Sequence, residues 1–588
     1  MGNELVTSVL SLGLSIAFIL VIVAFVAKHG NLEDIHLMNT KALKIMCKPT
    51  DYKEECYEAL AEVAKNTSAT KKDYIFASMH STVVKLQKTI RRSSSIGKEL
   101  GDRTDDYAKH ARDDLKNCEK LLGHAIEDLQ HVLKVGHKTK TKTLPKQIDQ
   151  IIVWLTAVRT YQTTCVDEIN NDKIRKDMQK KLEKANKHTF NSQKIIFNVA
   201  KILQDFGIDL SDSKSNGHRR LLEEGEVIDQ HGFPSWVLVG DRQLLGVESD
   251  DDKDKHEPEP EPKLTGQEYF KTLEPEPFGQ PVKPNVVVAQ DESGQFKTIK
   301  EAIASYPLNH IGRFIIYIKA GAYNEGQIVV NRLQNNVYMY GDGCDKTIIT
   351  GQLNHGFDYI GTSNTATFVA EGERFMAKNI GFRNTIGPHG FQAIAFRSQS
   401  PHTVMVDCTF EGYQNTLCYH THDQFYKNCV VSGTVDFIFG SGRAFFQDSK
   451  IILRKPEKDQ VNTIATDGRM KYEETSGVVF QNCKITGSPE VIGEVKSYLG
   501  RPWKARSRVA VMKSEIGDVI RPEGWVECDS PEGKDNQDTC MFREYKNKGP
   551  GSNTDRRVKW LGFEVIKDEV NATKFSANKF IDAESWLP

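Results

Sequence analysis

The sequence predicts a mixed multidomain protein: an N-terminal all-α up-and-down helical bundle followed by a C-terminal all-β right-handed parallel β-helix. Three observations carry this. Up to about residue 210, apolar residues recur at spacings of three and four, the helical period. Beyond residue 284 the apolar runs shorten to strand length and a loose repeat appears: "FMAKNIGF", "VMVDCTFEG", "FYKNCVVSG", "FFQDSKIIL" and "VFQNCKITG". Repeats of this size with short strands suit stacked rungs, whereas propeller blades need roughly 40 residues each. Between the two patterns runs "GVESDDDKDKHEPEPEPKL", too acidic and proline-rich to build a core.

The elements follow in order. Residues 1–30 contain "LVTSVLSLGLSIAFILVIVAFVA" from Leu5 to Ala27, uncharged and long enough to span a bilayer. The flank before it has only Glu4, so an uncleaved signal anchor fits better than a cleaved signal peptide. Either reading sends the rest of the chain into the secretory lumen, and the anchor reading keeps it on the membrane before processing. The sequons at Asn66 and Asn571 are compatible with that route. Residues 31–210 carry the amphipathic helices, as in "DDLKNCEKLLGHAIEDLQHVLKV", and Pro145 suits a break or a first helical turn.

Residues 211–283 form a stiff, solvated linker. It holds Arg219, Arg220, Leu221 and Leu222, then a second Arg-Gln-Leu-Leu motif ending at Leu245. A dibasic site in an exposed linker between dissimilar domains is a protease target. Residues 284–588 are the β-helix. The formal net charge of -1 over 588 residues offers no basic field to nucleic acid, so none is expected as a partner.

In a β-helix, equivalent positions of successive turns stack about 4.8 Å apart. Cys408 then lies over Cys429, within the Cα range that a disulfide accepts. Asn415 and Asp436, at the same offset from those cysteines, lie near each other, with Gln414 beside them. Two stacked polar side chains on a groove can be a structural ladder, or the kind of pair from which carboxylate catalysis is built.

"GTVDFIFG" (433–440), "LGRPW" (499–503), "GAYNE" (321–325) and "FQAIAF" (391–396) together resemble the plant pectin methylesterases. The helical region resembles the pectin methylesterase inhibitor domain. The order of anchor, bundle, Arg-Arg-Leu-Leu linker and esterase resembles that family's proenzyme class. The resemblance implies a cell-wall enzyme that hydrolyses methyl esters of homogalacturonan to free carboxylates and methanol, without metal or organic cofactor. Its implied partners are pectin, its own inhibitor-like domain before processing, and a subtilisin-like processing protease. It implies Asp436 as the nucleophile, Gln392 and Gln414 as amides stabilising the oxyanion, and Arg501 as the contact of the nucleophilic carboxylate and substrate. Trp503 matches a sugar-stacking residue and Thr362 a substrate-contacting threonine. It also implies pairing of Cys47 with Cys56 and of Cys118 with Cys165. The 11 cysteines are an odd number; Cys408–Cys429 and Cys528–Cys540 are further candidate pairs.

The departures matter equally. The family's proton donor is an Asp where this chain has Asn415, and an amide can neither protonate methoxide nor activate water. Cys418 replaces a Tyr, Asp423 an Arg, and Ser449 a frequent Cys. Asp423, His420 and His422 are the nearest groups in sequence that could replace the missing acid. Two alternatives stand beside the esterase: an inactive pectin-binding protein, and an inhibitor of other esterases acting through the bundle. A pectin-chain hydrolase is disfavoured by the missing second carboxylate and by Leu-Gly-Arg-Pro-Trp.

Overall fold

A computed structural model describes residues 41–66, 68–101, 103–210, 283–529 and 535–581. The apolar segment 5–27 and both Leu-Leu motifs of the linker lie outside these residues. Among the described residues no helix is long and apolar enough to cross a membrane.

After a helical stretch at residues 41–47, the N-terminal region forms α1 (Lys53–Ala64) and continues into four long helices: α2 (Lys71–Glu99), α3 (Asp106–Lys138), α4 (Ile148–Asp167) and α5 (Asp172–Phe197). Side chains cap three of them. Thr70 and Asp73 form a reciprocal capping box at α2, Asp105 accepts from the Ala108 N–H at α3, and Asn171 from that of Ile174 at α5. Each long helix packs on its sequence neighbours and α2 also packs on α5, which closes an up-and-down bundle. The Cys47–Cys56 and Cys118–Cys165 disulfides are formed, the second tying α3 to α4. Helix α4 differs from its neighbours: every residue from Ile151 to Gln162 is buried. A helix buried all round has partners on both sides. One face of α4 serves the bundle; the other meets the β-helix.

From Val286 the chain winds through three parallel sheets of 11, 7 and 8 strands. Each turn visits all three. One rung, for example, runs through Thr403–Val406, Thr409–Glu411 and Leu417–Tyr419, and the next through Asp423–Lys427, Val430–Gly433 and Ile438–Gly440. The repeat read in the sequence is the corner between the first two strands. Asn379, Asp407, Asn428, Asp448 and Asn482 all sit there with φ between 52° and 56°. Asn and Asp tolerate this left-handed conformation better than most residues. Their side chains also bond along the stack: Asn428 Nδ2 donates to Asp407 and Asn482 Nδ2 to Asp448, at 2.5 and 2.6 Å. Aromatic rings fill the interior rung by rung, with Tyr426 on Phe446 and Phe446 on Phe480.

The register sets Thr409 opposite Val430, so Cys408 does stack on Cys429. The expected disulfide between them is absent, however: both are free, each donating to a backbone carbonyl two residues back, Val406 and Lys427. Stacked side chains leave their rungs in parallel and keep about the strand spacing, wider than the roughly 3.8 Å between Cβ atoms that a disulfide needs. Cys528 and Cys540 are not bridged either. Cys528 lines a surface cleft, whereas Cys540 is in the core and donates to the Gln537 carbonyl.

Candidate active site

Asn415 and Asp436 occupy the same corner of successive rungs. The pairing of Leu417 with Ile438 and of Ile438 with Ala465 stacks Asn415, Asp436 and Thr463 in a column. Asn415 and Asp436 have φ of 64° and 49°, which turns their side chains out of the strand path. Asp436 is held from several directions. Arg501 Nε and Nη2 donate to its two carboxylate oxygens at 2.9 and 2.6 Å, a bidentate pair. The hydroxyls of Thr463 and Thr466 donate to Oδ1 at 2.7 and 2.5 Å, and Thr463 Oγ1 accepts the Asp436 N–H at 2.8 Å. Asn415 is buried and its Nδ2 is 3.4 Å from the Asp436 carbonyl.

All of Thr362, Gln392, Gln414, Asn415, Asp436, Arg501 and Trp503 line one cavity of about 380 Å³. The Gln414 side-chain oxygen is buried there without a hydrogen-bond partner. Turning that amide by half a revolution presents its N–H groups to a ligand instead. Sequence reasoning missed Thr463 and Thr466, whose rung follows an insertion around residues 454–461 that hides the repeat.

Of the three groups considered as substitutes for the missing acid, only His420 reaches the cavity. Its Nδ1 is 3.0 Å from Gln399 Oε1 and its Nε2 3.0 Å from Thr164 Oγ1, and burial holds its pKa well below the usual histidine range. Asp423 does not line the cavity. It is buried in a bidentate pair with Arg443, whose Nη1 reaches Asp149 of the bundle at 2.6 Å. His422 lies against the bundle too, with Nε2 3.1 Å from Asp128.

The opposite wall of the cavity comes from the bundle: Thr160, Thr164, Asp167, Glu168 and Asn170, at the C-terminal end of α4 and just beyond it. The Glu168 carboxylate accepts from the Ser363 N–H at 2.7 Å and from its hydroxyl at 2.9 Å. Burial pushes its pKa up to about 7. Ion pairs surround this contact. Asp128 bonds Arg332 at 2.5 Å, and although burial alone would raise its pKa, Arg332 and His422 bring it down to about 2. Arg159 bonds Glu474 at 2.9 Å, and Tyr161 bonds both Arg332 and Thr421. The sequence held a signal for this face: "IIVWLTAVRTYQTTC" carries a single charge, too few for a helix with a solvated side.

Two family profiles match the chain: "Pectinesterase" over residues 285–584, and "Plant invertase/pectin methylesterase inhibitor" over 41–195. A probable pectinesterase/pectinesterase inhibitor of Arabidopsis thaliana is 36% identical over 554 residues, covering 93% of this chain and 89% of its own. "Pectinesterase 5" of the same plant is 34% identical, covering 100% and 98%. The solved pectin methylesterase from carrot is 40% identical with a TM-score of 0.51, covering 52% of this chain and 96% of its own. The carrot chain therefore corresponds to the β-helix, which in that relative folds without a bundle. With both profiles matched and relatives aligned nearly end to end, the chain belongs to the pectinesterase family, as a pectin methylesterase with an inhibitor-like helical domain ahead of its β-helix.

Proposed function

We propose that this chain is a cell-wall esterase precursor in which Asp436 attacks methyl-ester carbonyls of homogalacturonan and the bundle closes the cleft until it is displaced. The observation that carries the reading is Asp436, fixed by Arg501, Thr463 and Thr466 in a cavity whose far wall is the chain's own helix. Attack forms an acyl-aspartate. Gln392 and Gln414 stabilise the oxyanion, Thr362 and Trp503 hold the sugar, and water then cleaves the acyl group from Asp436. Protonation of the departing methoxide and activation of that water both need a group that Asn415 cannot supply. General acid–base help is worth ~10²–10⁴-fold, so turnover is low by that order.

The chain enters the secretory pathway, anchored by residues 5–27. A subtilisin-like protease then cuts after Leu222, with a second site near Leu245, and the β-helix passes to the wall. Asn415 also favours a second reading, a pectin-binding protein that retains the cleft without efficient turnover.

Methanol release by the β-helix domain separates the two. Asn415→Asp is expected to raise it at least about tenfold, and Asp436→Asn in that background to abolish it. If neither natural nor Asn415→Asp domain releases methanol while both bind pectin, the binding reading stands. If the natural domain already equals the Asn415→Asp form, another cavity group supplies the proton.

A further inference from the structure

We propose that His355 serves the proton transfers that Asn415 cannot, through one bridging water, and that the turnover left to the β-helix domain depends on it. The inference rests on the esterase reading above and adds a residue to its chemistry.

The β-helix contributes two imidazoles to the cavity wall, His355 and His420. Imidazole is the side chain that readily gives and takes a proton between pH 5 and 8. His420 is poorly placed for Asn415. It follows five residues later, beyond the strand Leu417–Tyr419, a span of roughly 16 Å in extended chain. His355 is nearer. Its N–H donates to the Gln392 carbonyl at 2.9 Å, and the Ala393 N–H donates to the Gln414 carbonyl at 3.1 Å. Two rungs, about 10 Å along the axis, therefore separate His355 from Asn415, with Gln392 on the rung between. An imidazole extending from that position and one water cover the distance.

The local fold holds this histidine in one tautomer. Asn354 caps the four-residue helix His355–Asp358 by accepting the Phe357 N–H. The helix packs closely on the segment ahead of Gln392: a Cβ on Gly356 would come within 2.7 Å of the Phe391 ring. His355 Nδ1 lies 2.7 Å from the Ile360 carbonyl. A carbonyl only accepts, so Nδ1 carries the proton and Nε2 the lone pair. Nε2 takes no hydrogen bond among the described residues. The charged groups around it are otherwise engaged. Asp436 and Arg501 pair with each other, and Asp358 accepts from the Asn354 N–H and side-chain amide at 2.9 and 3.1 Å. Asp167 and Glu168 line the cavity from the bundle and leave with it.

In the first half of the reaction the imidazolium Nε2–H passes its proton through the water to the methoxide oxygen, and methanol departs from the acyl-aspartate. Neutral Nε2 then draws a proton from the water that attacks the acyl carbonyl. The bond from that carbonyl to the Asp436 oxygen breaks, which releases the carboxylic acid and restores both the Asp436 carboxylate and the imidazolium.

The test is methanol release from methyl-esterified pectin by four β-helix domains: the natural one, Asn415→Asp, and each of these with His355→Asn. Asparagine keeps a donor for the Ile360 carbonyl and removes Nε2. His355→Asn is expected to lower kcat of the natural domain about tenfold or more, with KM little changed. It is expected to cost the Asn415→Asp domain several-fold less, because an Asp at that position carries the proton itself. The kcat of the natural domain is expected to vary with pH between about 5 and 8, and this variation to shrink in His355→Asn. Equal losses in the two backgrounds, or an unmoved pH profile, overturn the role of His355. So does a natural domain that releases no methanol while Asn415→Asp does. Silence of both removes the esterase reading and the role of His355 with it.

Discussion

Asn415 and Asp436 are equivalent residues of neighbouring rungs, and only one of them can carry a negative charge. That equivalence was legible from the offset each keeps to its cysteine. The threonines that hold Asp436 were not, because Thr463 and Thr466 follow an insertion that breaks the count. Asp423, next to His422 and three residues after His420, looked like a substitute acid, yet the strand turns it to Arg443 and away from the cavity. Alternation along a strand tells which residues share a face, not which face meets a groove. Glu168 is the residue whose chemistry can be followed by titration. Docked, its carboxyl is raised to about 7 by burial; solvated, it returns to the usual ~4.3. The docked state therefore holds a proton that the free bundle loses. Its contribution to docking is complete below pH ~4.3 and fades as pH rises to about 7. His124, also at the interface, is pushed down to about 2 by burial and acts in the opposite sense, disfavouring docking as pH falls below ~6.5. Comparing variants isolates the Glu168 share. Between about pH 5 and 7.5, Glu168→Gln is expected to make association of the bundle with the β-helix less sensitive to alkalinity, read by size-exclusion of the linker-cleaved chain. An unchanged pH slope contradicts this.

At the scale of elements, the corner ladder of the β-helix was the most readable feature, because a left-handed corner restricts the residue type. The recurrent Asn or Asp in the repeat is that restriction written out, and the small residue after it points into the core. Asn482 has φ of 54° and bonds Asp448. Asn482→Ala is expected to lower stability by ~1–2 kcal/mol, and Asn482→Gly by less, because glycine adopts this conformation freely. Denaturant unfolding of the β-helix domain measures both, and equal losses would place the cost in the side-chain bond instead. Helix α4 was read as one bundle helix among others. Its near absence of charge had a further meaning that period alone does not convey: a second burial partner, 171 to 315 residues away in sequence.

Over the whole molecule, that partner is recognised by ion pairs of alternating direction. The bundle offers carboxylates to Arg332 and Arg443 through Asp128 and Asp149, and cations to Glu371, Glu473 and Glu474 through Lys120, Lys194 and Arg159. A mixed pattern favours one partner and penalises others, since a mismatched surface buries unpaired charge. A net charge near zero conceals this arrangement, and no sequence spacing discloses pairs this distant. The departure at Asp423 also finds its place here, since it orients Arg443 toward Asp149.

The central claim, that the bundle shuts a cleft in which Asp436 does the chemistry, is tested most directly by methanol release from methyl-esterified pectin. The full chain carrying Asn415→Asp is compared with the same chain carrying also Arg332→Asp and Glu474→Arg, which set like charges against Asp128 and Arg159. The account predicts that the first is nearly silent. The second is predicted to release methanol at least about tenfold faster, because truncating or reversing a buried interfacial charge costs roughly 2–5 kcal/mol of docking. Equal methanol release by the two chains, at a rate matching the isolated Asn415→Asp β-helix, would contradict it.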